Sequence, residues 1–316
     1  MSDQLGLAVL GTGIMGRRML AALQQQTHFH VAALWDPQTE ALTTAHALAP
    51  AARLAASMDD LVHDPAVQLV YVASPPSFHL AGVQAALGAG RACLCEKPLA
   101  HSVAEAEALR ALVSQAGVPF AVNFPFATSS SARSMRDIVA RGALGTLESA
   151  RITLRFAQWP RPWQAGASNW LAGAAEGGFT REVLSHFVFQ SLRLFGPARV
   201  EAVQLQRSGG QSETTLRARL VHAQLVVEID AAVAGDVADQ NRFEVVGSHG
   251  RVALSQWSRL EFEGQVSERA DGTATMLEAL AALVRAAPPA GGVQALATAD
   301  EAAEVVACIE ALLQQR

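Results

Sequence analysis

LGLAVLGTGIMG, residues 5 to 16, is a short apolar run, then glycines at Gly11, Gly13 and Gly16, then the start of a helical pattern. A strand that turns on glycine into a helix places the helix N-terminus at the strand's carboxyl end, where phosphates bind. Gly11 turns the chain, Gly13 lets the backbone approach a pyrophosphate, and Gly16 lets the helix pack on the strand. A tight turn without a ligand is the alternative. The dinucleotide fingerprint also asks for an acidic residue about 20 positions on, and Asp36 stands there, closing the second strand in ALWDP. Its carboxylate could hydrogen-bond ribose hydroxyls and would repel a 2′-phosphate, which favours NAD(H) over NADP(H). Thr12, Ile14 and Met15 complete the loop. Arg17 and Arg18 follow on the helix, either as a solvated face or as help for a phosphate.

Outward from this loop the rhythm persists. Helices are expected from about Ile14 to Gln26, Thr39 to Leu48, Ser77 to Ala89 and Ser102 to Ala116, alternating with the strands FHVAALWD, VQLVYVAS, ACLCEKP and VPFAVNF. Such alternation predicts a parallel sheet covered on both faces, a doubly wound Rossmann domain over 1–122. From residue 123 the pattern changes to helices at about Ser131 to Arg141 and Phe179 to Leu194. Between them lie a strand in LESARITLRF and a Trp/Pro/Gly-rich loop from Gln158 to Gly178. The strands VEAVQLQR, TTLRARLVH, AQLVVEIDAAV, NRFEVVGSHG and RVALSQW follow, and two helical segments separated by AAPPAGG close the chain. The expectation for 123–316 is an α+β domain on a large, mostly antiparallel open sheet that binds substrate and mediates assembly.

Composition removes competing chemistries. Half the residues are apolar and 17% charged, so a packed core is expected rather than disorder. A formal charge of -5 without a basic run argues against nucleic-acid or anionic-membrane binding and leaves small molecules as partners. Lys97 is the only lysine among 24 Lys and Arg residues, and it sits in Glu96-Lys97-Pro98, which excludes a P-loop. Tyr71 is the only tyrosine, so no Tyr-x-x-x-Lys pair exists. Cys93, Cys95 and Cys308 form an odd set, consistent with a reducing compartment. The N-terminus lacks a signal-peptide pattern and no stretch is long and apolar enough for a span, so a cytoplasmic protein is expected. No metal site is expected.

Three further segments carry chemistry. Ser74, Pro75 and His79 stand at and after the end of the strand VQLVYVAS, on the edge where doubly wound sheets bind ligands. Ser77 as an N-cap and His79 as a first-turn histidine compete there with a cofactor contact. Glu96 and Lys97 close the next strand on the same edge. Unlike arginine, a lysine loses its proton when desolvated or placed beside another cation. Glu182 and His186 lie four apart on a helix, a carboxylate and an imidazole on one face, read either as a proton-transfer pair or as a surface pair.

Together these residues resemble the Gfo/Idh/MocA oxidoreductases, a family named for glucose-fructose oxidoreductase and inositol dehydrogenase. The resemblance rests on the Gly11 loop, Asp36-Pro37, Ser74-Pro75-Pro76 with His79, Glu96-Lys97-Pro98, the Gly142-Ala-Leu-Gly145 turn, the helix ending at His186 and the strand FEVVGSHGRVAL. It implies that Lys97 and His186 are catalytic and that Glu182, in place of the family's Asp, orients substrate. It also implies cofactor contacts from Gly11 to Gly16, Asp36, Ser74, Pro75, His79, Glu96 and Lys97. Asn123, Trp163, Arg181, Glu182 and His186 are the substrate candidates. Asn123-Phe124-Pro125-Phe126 departs from the usual Asn-x-Arg type, which weakens any transfer of sugar or inositol specificity. The expected activity is hydride transfer between nicotinamide and a secondary alcohol or ketone of a sugar, cyclitol or related molecule. Its rivals are an NAD-dependent glycoside hydrolase of the same fold and a redox-inert NAD-binding regulator. The open sheet, with its alternating Val and Leu, predicts a homodimer or homotetramer.

Overall fold

The computed structural model describes residues 4–233, 235, 237–268, 272–285 and 295–314. AAPPAGG, 286–292, lies outside them. The chain divides into two compact units, Met1–Phe124 with Thr273–Ala303 and Pro125–Gly272 with Glu304–Arg316. The first crossing thus falls two residues beyond the expected boundary at 122. The larger difference is that residues 273–303 return to the first unit, whereas the sequence pattern assigns everything after 122 to the second.

The first unit runs β1 (Leu5–Leu10), α1 (Ile14–Leu23), β2 (Phe29–Trp35), α2 (Thr39–His46), β3 (Arg53–Leu54), α3 (Met58–Val62), β4 (Leu69–Val72), α4 (His79–Gly88), β5 (Ala92–Glu96), α5 (Val103–Ala116) and β6 (Phe120–Asn123). The six strands are parallel in the order β3-β2-β1-β4-β5-β6, the doubly wound arrangement that opens a crevice at the carboxyl ends of β1 and β4. β1, β4 and β5 are almost wholly buried, as continuous apolar runs require in a sheet covered on both faces. Ser102 caps α5 by accepting from the Glu105 N–H, and Gly117 ends it in the left-handed conformation at φ 65°. The returning helix packs Met276, Leu277, Leu280 and Ala281 against Leu7, Val9, Leu94 and Ala121. β3 and α3 had no place in the sequence reading, because two residues and five residues are too short to show a period.

The second unit contains α6 (Pro125–Thr128), α7 (Ser130–Ala140), β7 (Leu147–Phe156), α8 (Ser168–Leu171), α9 (Ser185–Phe195), β8 (Ala198–Arg207), β9 (Glu213–His222), β10 (Val226–Val233), β11 (Gln240–Gly247), β12 (Gly250–Ser255), β13 (Arg259–Phe262) and β14 (Gln265–Glu268). α10 (Thr273–Arg285) is the helix that returns to the first unit, and the division falls within α11 (Ala299–Leu313). The eight strands order as β14-β13-β12-β11-β7-β10-β9-β8. All neighbours are antiparallel except β7 and β10, which run parallel.

Alternation decides which face of this sheet is dry. Ile152, Leu154, Leu216, Leu220, Val227, Ile229, Phe243 and Val245 are buried within the chain. The alternate positions form an ionic lattice: Arg155 and Arg217 with Asp230, Arg219 with Glu228, and Arg242 with Glu244 and Glu261. Most of the Val and Leu side chains of β9 and β10 are therefore covered within the chain, although Val226 is 38% exposed, and the open face of these strands is largely ionic. No helix among the described residues is long and apolar enough to cross a membrane.

Candidate active site

In the first unit the glycine loop, Asp36, Ser74 and Lys97 follow the carboxyl ends of parallel strands, and Asn123 closes β6 on the same edge. Gly11 has φ 94°, and a Cβ there would lie 2.6 Å from the Ser74 nitrogen. A Cβ on Gly16 would meet the Gly11 carbonyl oxygen at 2.2 Å, so helix and loop touch backbone to backbone. Gly13 is different: its Cβ would meet no protein atom within 4 Å. That open space lies at the N-cap of α1, which offers no side-chain cap and no acidic residue in its first turn. The first-turn N–H groups of such a helix attract an anion. The Ser74 Oγ on the neighbouring loop is buried and has no hydrogen-bond partner among the described residues. These features fit a dinucleotide whose phosphates lie over Gly13.

Asp36 has structural duties as well. One carboxylate oxygen accepts from the Thr12 N–H at 2.7 Å and the Thr12 hydroxyl at 3.2 Å, and the other accepts from the Gln38 N–H at 2.9 Å. Thr12 is fully buried and its N–H is directed to Asp36, so it shapes the loop and does not offer that donor to a phosphate. Arg17 donates to the Thr12 carbonyl at 3.0 Å, which folds its guanidinium back over the loop.

Glu96 is 4% exposed and turned inward. It accepts from the Tyr71 hydroxyl and from the Asn123 amide at 2.7 Å. Burial pushes the carboxyl up from its ordinary value, and the hydrogen bonds from Tyr71 and Asn123 and the Lys97 charge oppose that. The cofactor contact expected of Glu96 is thereby replaced by an anchor beneath Lys97, and the Asn123 amide is committed to the same anchor. His79 is also internal, 1% exposed, with its ring nitrogens against the carbonyls of Ser74, Pro98 and Leu99. Ser77 is exposed and begins no cap. Cys93 and Cys95 are buried thiols raised by desolvation, as small core residues would be. No cluster of three potential metal ligands occurs among the described residues.

In the second unit Glu182 and His186 are joined by a feature absent from the sequence reading. Thr180–Leu184 is a π turn, in which the Ser185 N–H reaches the Thr180 carbonyl five residues back, and the α-helix resumes at Ser185. Single π turns inside helices recur at functional sites because they re-aim side chains. The start of this turn is tied down by Glu213, whose carboxylate accepts from the Thr180 N–H at 3.3 Å and hydroxyl at 3.0 Å. His186 is 8% exposed and packs edge-on against Phe126 and Trp257, with ring centroids 5.9 and 5.4 Å apart. Trp257 went unassigned in the sequence because it reads as the tail of a strand. Its backbone is at φ 67° and its N–H donates to the Asn241 side chain at 3.0 Å.

Arg181, a substrate candidate from the sequence, is engaged within the second unit. Its guanidinium is 6% exposed, donates to both Glu310 oxygens at 2.6 and 2.9 Å, and also reaches the carbonyls of Ala174 and Gly177. Arg155 is spent on Asp230 in the same way. Trp163 is 48% exposed, with Arg161 over its ring at 4.8 Å. Arg161 also lies near Phe156, Trp159 and Trp257, so aromatic rings gather around this arginine.

Comparisons with known proteins agree with this anatomy. Residues 5–124 match the oxidoreductase family with an NAD-binding Rossmann fold, and residues 132–253 match the GFO/IDH/MocA C-terminal domain. The chain is 26% identical over 295 residues to D-apiose dehydrogenase of Paraburkholderia graminis, covering 91% of this chain and 76% of that one. It is 23% identical over 214 residues to the scyllo-inositol 2-dehydrogenase (NADP(+)) IolW of Bacillus subtilis, covering 67% of this chain and 58% of the relative. The solved structure of GenD2 from gentamicin A biosynthesis, in complex with NAD, superposes with a TM-score of 0.80 at 23% identity, over 98% of this chain and 93% of GenD2.

Proposed function

The chain belongs to the Gfo/Idh/MocA family of NAD-binding oxidoreductases, and from that premise we propose that it is an NAD(H)-linked dehydrogenase or reductase of a secondary alcohol or ketone on a sugar, cyclitol or related small molecule. The observation that carries the reading is the placement of the chain's only lysine, at the carboxyl end of β5 in the nucleotide-binding sheet, on a carboxylate anchor. Relatives named as sugar and inositol enzymes support the substrate class.

A bound nicotinamide dinucleotide supplies the hydride chemistry. Gly13 and the first turn of α1 would hold its phosphates, and Asp36 its ribose hydroxyls. Lys97 donates to the reacting oxygen as a positive group and lowers the alcohol's pKa. His186 takes the hydroxyl proton or returns it, and Glu182 orients His186 or a substrate hydroxyl. Phe126 and Trp257 exclude water from the imidazole, which strengthens each polar contact made there. The negative charge of Asp36, which would repel a 2′-phosphate, favours NAD(H), while Arg17 beside Thr12 is the group that could reverse that preference.

A screen of polyols, sugars, cyclitols and dihydrodiols with NAD+ and NADP+, and of the matching ketones with the reduced cofactors, tests the reading. Turnover of at least one such substrate, faster with NAD(H), is expected. Binding of cofactor with no turnover across the panel would turn the assignment toward a redox-inert regulator.

A further inference from the structure

The geometry points to His79 as a buried imidazolium that cross-links the two loops of the cofactor edge and so positions Lys97. The Nδ1 atom lies 3.0 Å from the Pro98 carbonyl oxygen and 3.2 Å from that of Leu99, and the Nε2 atom lies 2.9 Å from that of Ser74. Carbonyl oxygens only accept hydrogen bonds. A neutral imidazole has one N–H, so one of its nitrogens would direct a lone pair at a carbonyl oxygen within contact distance. With both nitrogens protonated every contact becomes a hydrogen bond, and each is strengthened by the charge.

Two effects oppose the charge. The residue is 1% exposed, so desolvation disfavours it. It is also the first residue of α4, where the helix dipole repels a cation. Against these stand three carbonyl dipoles aimed at one ring. The titratable groups on the elements packed against α4 are Asp59 and Asp60 on α3, Tyr71 on β4, Glu96 with Lys97 at the end of β5, and His101 paired with Glu105 at the start of α5. Cys93 and Cys95 on β5 are buried neutral thiols, and Glu107 and Arg110 on α5 pair with each other. Asp60 is paired with Arg53, Asp59 lies against His63 and Glu105 against His101, which leaves Glu96 and Lys97 as opposite charges that do not forbid a second positive group.

The cross-link has a functional consequence. Ser74 lies on the loop after β4, while Pro98 and Leu99 are the two residues directly after Lys97. The proton on His79 therefore sets the spacing between the loop expected to meet the cofactor and the backbone that carries the lysine. His79 acts through these carbonyls, as a positioning residue. The consequence for cofactor rests on the proposed site, whereas the protonation state stands without it.

The test uses the full chain labelled with 15N-histidine, followed by ring nitrogen–proton correlation spectra between about pH 6 and about pH 9, beside titration of NAD+ into the native protein and the His79→Gln variant. Expected are two protonated ring nitrogens on His79 at about pH 7.5, with a midpoint about one pH unit or more above the ordinary histidine value. NAD+ affinity of the native protein should fall as pH rises through that midpoint, and His79→Gln should bind about tenfold more weakly with no such fall. One unprotonated His79 nitrogen at about pH 7.5 overturns the imidazolium, and this spectrum needs no variant that folds. Equal NAD+ affinity in both proteins across the range overturns the positioning role. A native protein that never binds NAD+ refutes the cofactor site itself, and the ring signals still decide the state of His79.

Discussion

The hydroxyl of Tyr71, the only tyrosine, donates to the carboxylate of Glu96, the residue immediately before the only lysine. Both groups are buried, and burial raises the Tyr71 hydroxyl well above its ordinary value as well as raising Glu96. A buried carboxyl is retained only where donors surround it, and Tyr71 on β4 with Asn123 on β6 reach it from the strands on either side of β5. Three adjacent strands therefore converge on the residue that fixes the Lys97 backbone.

The openness above Gly13 gives the first prediction. Its φ is negative, at -64°, and a Cβ there meets no protein atom within 4 Å. Gly13→Ala should keep the native melting temperature while weakening NAD+ binding at least tenfold, because the methyl fills space that the pyrophosphate needs. Calorimetric titration beside a thermal melt separates the two effects. Unchanged affinity would remove the phosphate from that position.

Arg181 gives a stability prediction. Replacing it by methionine leaves the Glu310 carboxylate, at 16% exposure, without its bidentate partner, and breaking such a pair costs about 3 kcal/mol. Arg181→Met should lower the urea midpoint markedly, and Arg181→Met with Glu310→Gln should recover much of the loss. A direct substrate role would show instead as a raised KM at native stability.

His222 sets an acid limit. Burial lowers it from 6.5, its Nδ1 lies 2.8 Å from the Gly196 carbonyl, and its Nε2 lies 2.8 Å from the Ser191 hydroxyl. Folding therefore holds the ring neutral. The stability it contributes is present above about pH 6.5 and is lost as pH falls through the lowered value. Thermal melts from about pH 7.5 to about pH 5 should fall more steeply for the native protein than for His222→Gln. Parallel slopes would assign the acid sensitivity to other groups.

Assembly through the open sheet remains our proposal, now on ionic grounds. A homodimer or homotetramer that uses the Arg/Asp/Glu lattice as its interface should dissociate as salt rises, since exposed charges are screened within about 8 Å at physiological ionic strength. Light scattering across a salt series checks this. A monomer at low salt would exclude it.

The sequence-level expectations succeeded where local patterns suffice. LGLAVL, FHVAALW and LVYV are apolar runs between turn residues, and all appear as parallel strands, the first and third almost wholly buried. The glycine spacing found its loop because its sterics are local. Other features depend on distant partners. Arg181 meets Glu310 across 129 residues, and nothing beside either one announces the pair. The amphipathic stripe of Thr273–Arg285 predicts burial of a face without saying against which unit. The π turn is equally hidden, since Thr-Arg-Glu-Val-Leu has the periodicity of an ordinary helix. Trp257 becomes a neighbour of His186 only through the turn after β12.

The central claim is that Lys97 acts on the reacting oxygen. Its most direct test is Lys97→Arg, with kcat on the substrate found in the screen and the NAD+ dissociation constant measured on the same preparation. The account predicts a fall in kcat of roughly 10²-fold or more, because the guanidinium cannot reproduce a point contact or release a proton, with cofactor affinity nearly unchanged. A Lys97→Arg enzyme that keeps most of its kcat would contradict it.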